Sequence, residues 1–70
     1  MEEIVIKDEY IKLGQALKLA GLAGSGVDAK FMIEDGIVMV NGETELRRGR
    51  KIHPGDMISL EDKQVKVVAI

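Results

Sequence analysis

Gly36-Ile37-Val38-Met39-Val40-Asn41-Gly42, followed downstream by Pro54-Gly55-Asp56, is the part of the chain whose reading decides the fold. Ile37 to Val40 is an extended apolar run. Asn-Gly is the strongest short hairpin signal, because both central positions of a type I′ turn need positive φ. Glu43 to Leu46 begins the return strand. Pro54-Gly55-Asp56 makes a second turn, since proline presets its own φ and glycine and aspartate tolerate the reversal. Met57 to Leu60 and Gln64 to Ile70 then complete a sheet across Glu61-Asp62-Lys63.

Upstream the period changes. Leu13, Ala16, Leu17 and Ala20 recur at i, i+3, i+4 and i+7, which is one face of an amphipathic helix. Gly21 stands where a left-handed C-terminal cap belongs, with Leu22 packing behind it. Ser25 and Asp28 have the spacing of a capping box, so Ser25 is read as the N-cap of a second helix. Ala29, Met32 and Ile33 form its buried stripe, Lys30 and Glu34 an exposed i,i+4 pair, and Gly36 its stop. Both helices are short, two to three turns, so packing rather than propensity must hold them. Ile4-Val5-Ile6 reads as a first strand that pairs with the end of the chain. The expected order is β-α-α-β-β-β-β. This is an α+β fold, two short helices on a small, mostly antiparallel sheet.

Seventy residues, 46% of them hydrophobic, build one domain, here 1–70. A chain this short buries only about 60% of its unfolded surface, so Ile, Val, Leu and Met must fill a single core. Tyr10 and Phe31, the two aromatics, are expected in core or edge packing rather than as a base-stacking platform. The absence of cysteine removes disulfides, thiolate metal sites and thiol nucleophiles together. No apolar run approaches the ~20 residues that span a bilayer, and the acidic N-terminus lacks a signal-peptide core, so the reading is a soluble cytoplasmic protein without a membrane role.

Catalytic chemistry finds little purchase. His53, the only imidazole, precedes Pro-Gly and reads as a solvated turn residue. The paired acids Glu2-Glu3, Asp8-Glu9, Glu34-Asp35 and Glu61-Asp62 fall at element ends and read as solubilising surface. Gly21, Gly24 and Gly26 follow a helix rather than a strand, so they make no dinucleotide fingerprint. No cofactor or metal site is expected.

Charge is distributed unevenly. Arg47, Arg48, Arg50 and Lys51 carry four of the ten positive charges within five positions, which leaves −6 on the rest of a chain whose net charge is −2. Four adjacent cations repel one another unless an anion neutralises them. Three of the four are arginine, whose planar fork suits phosphate oxygens. The alternatives are a solvated loop, or arginines paired with Glu43 and Glu45. Lys12, Gln15 and Lys18 fall on the outward arc of the first helix, and Lys30 projects from the second. The second helix opens at Ser25, where free backbone N–H groups favour an anion. Together these residues would line one concave basic face.

The stretch from Lys12 to Asp56 resembles the S-four RNA-binding domain, the alpha-L motif. The resemblance rests on Lys12-Leu13, Leu17, Gly21-Leu22, Ser25, Ala29-Lys30, Ile33, Gly36, Val38-Met39-Val40-Asn41-Gly42 and Pro54-Gly55-Asp56, in that order. The N-terminal strand and Glu45-Leu46-Arg47-Arg48-Gly49-Arg50-Lys51 look like its small stand-alone bacterial branch, the YaaA- or YbcJ-like proteins. This resemblance implies non-catalytic binding of structured ribosomal or transfer RNA by the two helices and the adjoining hairpin. Many members open helix one with Arg-Leu-Asp-Lys and helix two with Ser-Arg; here the residues are Lys12-Leu13-Gly14-Gln15 and Ser25-Gly26. The expected RNA-contacting set is therefore Lys12, Gln15, Lys18, Ser25, Lys30, Arg47, Arg48, Arg50 and Lys51, with the last four taking over much of the phosphate contact. A monomer is expected.

Two other readings use the same residues. A protein-interaction module in an assembly complex would set the basic segment against an acidic protein surface. Small β-grasp sulfur carriers also contain Val-Asn-Gly and Pro-Gly-Asp, but they end in Gly-Gly, whereas this chain ends Val67-Val68-Ala69-Ile70.

Overall fold

Apolar side chains that alternate along a strand all reach one face of a sheet, and a chain of this size has only one core for that face to cover. A computed structural model describes residues 2–70, with Met1 outside the described residues. The chain runs β1 (Glu2–Ile6), β2 (Ile11–Lys12), α1 (Leu13–Leu19), α2 (Gly26–Glu34), β3 (Val38–Val40), β4 (Glu43–Thr44), β5 (Lys51–Ile52), β6 (Met57–Leu60) and β7 (Lys63–Ala69). Five strands form one sheet in the order β1-β7-β6-β3-β4, and β2 pairs with β5 in a separate two-stranded ladder. Only the β1–β7 pair is parallel. Everything between those two strands is thus the connection that lets the first lie beside the last.

The register places apolar residues opposite one another on the inner face. Val40 faces Ile58, Val38 faces Leu60, Ile58 faces Val65 and, across the parallel pair, Ile4 faces Val67. All are buried, and Leu13, Ala16, Leu17, Ala29 and Ile33 of the helices join them in the core. Slipping any strand by one residue would turn these side chains to water.

The turns follow from local chemistry. Asn41 and Gly42 both have positive φ, +53° and +87°, as a type I′ hairpin requires. Asn41 also ties this turn to Pro54-Gly55-Asp56. Its side-chain amide donates to Asp56 Oδ1 at 3.1 Å, its carbonyl oxygen accepts from the Met57 N–H at 2.9 Å, and Asp56 Oδ2 accepts from the His53 N–H at 2.8 Å. Burial alone would raise the Asp56 carboxyl, but the bonds from His53 and Asn41 outweigh it and hold the group below its ordinary value. At the end of α1, Gly21 at φ +75° lets its own N–H reach Lys18 O at 3.0 Å and that of Leu22 reach Leu17 O at 2.9 Å, closing the helix.

Three sequence expectations need correction. The order gains two strands, β2 and β5, each two residues long; they exist through pairing with each other, and no local period announces them. Lys12 accordingly belongs to β2 and flanks α1 rather than opening it. Phe31 is 57% exposed on the outer side of α2, not packed in the core. Ala29 and Ile33 fill the space under that helix, so its opposite face is left to solvent. Tyr10 is half-buried, and the Lys51 ammonium lies 4.9 Å from its ring centroid.

Candidate nucleic-acid interface

Helix α1 begins without help from a side chain. Lys12 makes no side-chain capping bond, and there is no acidic residue in the first turn. Its leading N–H groups are satisfied from far along the chain. Leu13 N–H donates to Arg50 O at 2.8 Å, and Gly14 N–H to Arg48 O at 3.1 Å. The basic segment is therefore the backbone cap of α1, and capping brings its side chains to that helix.

Beside these bonds the β2–β5 ladder sets Lys12 directly opposite Lys51 and Ile11 opposite Ile52. Buried Ile52 anchors the segment in the core. Gly14 makes the close approach possible. A Cβ there would lie 2.8 Å from Arg48 Cγ, so the Arg48 stem crosses α1 in the space that a side chain would fill.

The outcome is a groove of about 370 Å³ lined by Lys12, Gly14, Gln15, Lys18, Gly26, Arg48 and Gly49. A second hollow, lined by Arg47, Gly49, Arg50 and Lys51, shares Gly49 with it. A larger groove of about 710 Å³ shares Lys12 and Gln15 and adds Lys7, Asp8 and Glu9, so its charges balance instead of gathering positive charge. Of the residues singled out in the sequence, Lys12, Gln15, Lys18 and Arg48 thus come together. Arg47, Arg50 and Lys51 lie next to them. Ser25 adjoins Gly26, and its hydroxyl oxygen accepts from the Asp28 N–H at 3.2 Å as the α2 cap. Lys30 is exposed on α2 and lines neither hollow.

The four cations of the segment are not equivalent. Glu45, only 6% exposed, binds two of them. Its Oε2 accepts from Arg47 Nε and from the Arg47 backbone N–H, both at 3.0 Å, while its Oε1 accepts from Arg47 Nη2 at 3.2 Å and Arg50 Nη1 at 2.8 Å. The guanidinium bonds from Arg47, then Arg50, hold the Glu45 carboxyl at about 2, against burial, which would raise it from 4.5. Arg48 makes no ion pair among the described residues. Sequence reading named Glu45 only as a possible partner and missed Gly14. A glycine in the first turn of a helix, where it is intrinsically unfavourable, was the available signal.

Two short helices on an open sheet, with a basic loop capping the first, define a small alpha-L module. The S4 domain model matches residues 4–68, and the chain belongs to this family. It is 47% identical over 58 residues, 83% of this chain and 82% of the relative, to the "Probable ribosome maturation protein RlbA" of Bacillus subtilis. It is 40% identical over 63 residues, 90% of both chains, to the "Putative RNA-binding protein YbcJ" of Escherichia coli. The solution structure of YbcJ, described as revealing an alpha-L motif involved in RNA binding, superposes with a TM-score of 0.76 at 37% identity, covering 99% of this chain and 89% of that one. Families of this type are typically non-enzymatic. Among the described residues, no three or more His, Cys, Asp or Glu side chains gather where they would hold a metal ion, and no helix is long and apolar enough to cross a membrane.

Proposed function

We propose that this protein is a non-catalytic RNA-binding module whose groove between α1 and the basic loop seats the phosphate backbone of structured ribosomal RNA. The observation that carries the reading is the convergence of Lys12 and Lys18 with Arg48, from a distant part of the chain, in one groove of a protein that is net negative. Lys12 opposite Lys51 adds to it. Like charges placed directly across a ladder destabilise the pair, and a bound phosphate removes that cost. The ribosome-maturation description of the RlbA relative favours ribosomal over transfer RNA. Phosphate contacts would position the RNA, and its shape and 2′-hydroxyls would supply selectivity.

Titration of purified ribosomal RNA, transfer RNA and polyuridylate over a range of salt tests this reading. With Lys12, Lys18, Arg48 and Lys51 each neutralising one phosphate, the logarithm of affinity should fall against log salt with a slope of about −3. Joint substitution of Lys12, Lys18 and Arg48 by Gln should flatten the slope to about −1. Unchanged affinity and slope in that variant would reject the groove.

A second reading has its own observation. Val27 and Phe31, one turn apart on α2, are both more than half exposed, which suits a protein contact in an assembling particle. Substituting this pair by Ser separates the two: RNA affinity should be retained if the groove is the site.

A further inference from the structure

Glu45 is hard to explain in a surface that only gathers positive charge. It is the one charged side chain buried among the described residues, it stands two positions before the basic segment, and it binds two of the four cations there. A polyanion-binding patch with no other requirement would bind more tightly without it. The bonds of Glu45 explain its presence through geometry. Arg47 is held at three points, its backbone N–H, Nε and Nη2, and Arg50 at a fourth. These two residues bracket a turn closed by Arg50 N–H donating to Arg47 O at 3.2 Å. The carbonyls of Arg48 and Arg50, within that same turn, cap α1.

From this chain of contacts we infer that Glu45 is the positioning residue of the RNA-binding face, holding the 47–50 turn on the one path that lays Arg48 across Gly14. The inference rests on the RNA-binding reading above and divides the labour within it. Arg47 sets its fork on Glu45, which occupies it much as a phosphate would, and Arg50 adds a single Nη1 bond, so both contribute shape. Arg48, with Lys12, Lys18 and Lys51, contributes the phosphate contacts. A fixed loop loses less freedom on binding, so Glu45 favours RNA whose backbone already matches the groove over a flexible strand.

Two variants test it, Glu45→Gln and Glu45→Asp, each confirmed as folded by thermal melting. Glu45→Gln raises the net charge by one, yet its affinity for ribosomal RNA should fall about tenfold while affinity for polyuridylate holds or rises. Amide exchange at Leu13 and Gly14, whose N–H groups donate into the turn, should accelerate. Glu45→Asp keeps the charge but is one methylene too short to make all four bonds, and should resemble Glu45→Gln. The inference is overturned if Glu45→Gln tightens both RNAs alike, or changes neither, with Leu13 and Gly14 still protected, or if Glu45→Asp matches the wild type. Should the wild type bind no ribosomal RNA, the proposed function fails, while the exchange at Leu13 and Gly14 still decides whether Glu45 sets the turn.

Discussion

The two helices of this domain begin in opposite ways. Helix α2 is started by its own sequence: Ser25 accepts the Asp28 N–H three residues on, and the cap is complete within one turn. Helix α1 has no such residue and is started by carbonyls of Arg48 and Arg50, more than thirty residues away. A local cap asks nothing of the rest of the molecule. A remote cap forces a second segment to lie against the helix, and here that segment carries the arginines. The groove lies mainly along the helix that needed outside help, because satisfying its backbone and gathering the cations are one structural event.

Four measurements would break or sharpen this contrast. The largest effect is expected from Leu13→Ala. Leu13 is fully buried in the first turn of α1, and truncation should cost about 2–5 kcal/mol by denaturant unfolding. Next comes acid sensitivity. The folded Glu45 carboxyl sits at about 2, below its ordinary 4.5, so its pairing stabilises the native state fully above pH 4.5 and loses that contribution as pH falls towards 2. Thermal melts over that range should therefore fall more steeply for the wild type than for Glu45→Gln. Ser25→Ala should cost about 1 kcal/mol, with amide exchange at Leu13 and Gly14 unchanged, because the α2 cap is local. Faster exchange there would erase the distinction between the helices. Gly14→Ala should be smallest in stability. It gains up to about 1 kcal/mol of helix propensity and gives much of it back by displacing Arg48, so the net change stays under about 1 kcal/mol while binding of ribosomal RNA weakens a few-fold.

Substituting the arginines is not the mirror image of substituting Glu45. Removing the Arg47 and Arg50 side chains together would leave a buried carboxylate with no cation and only the backbone N–H of residue 47, which is costly. Removing Glu45 releases Arg47, whose side chain is 76% exposed and easily hydrated, and Arg50, which is 33% exposed. Loss of RNA binding in an Arg47, Arg50 double variant would thus combine fold and site, and Arg48 is the cleaner probe.

Much of the architecture was legible in order along the chain. The period of Leu13, Ala16 and Leu17, the Ser25 cap, the Asn41-Gly42 turn and the alternation of Val38 with Val40 are each settled within a few residues, by forces that act over that distance. The pairing of the first strand with the last was also anticipated, since an isolated β-branched run needs a partner. The strands β2 and β5 were not, because two residues carry no period. Phe31 went astray because a large aromatic is ordinarily worth burying, and only the finished packing shows that Ala29 and Ile33 already fill the space under α2.

The cationic residues were likewise visible as types but not as an arrangement. Composition and spacing determined that this is a small α+β domain with a concentrated basic segment, because residue chemistry and short-range periodicity suffice for that much, while the RNA-binding family rested on the resemblance of its ordered motifs. Which cations line the groove and which pair with a carboxylate was decided by tertiary structure alone. Arg47 and Arg48 are neighbours of identical chemistry, and what separates their surroundings is a buried Glu45 on one side and the missing side chain of Gly14 on the other. Both are consequences of how distant segments meet, and one-dimensional order holds no record of that distance.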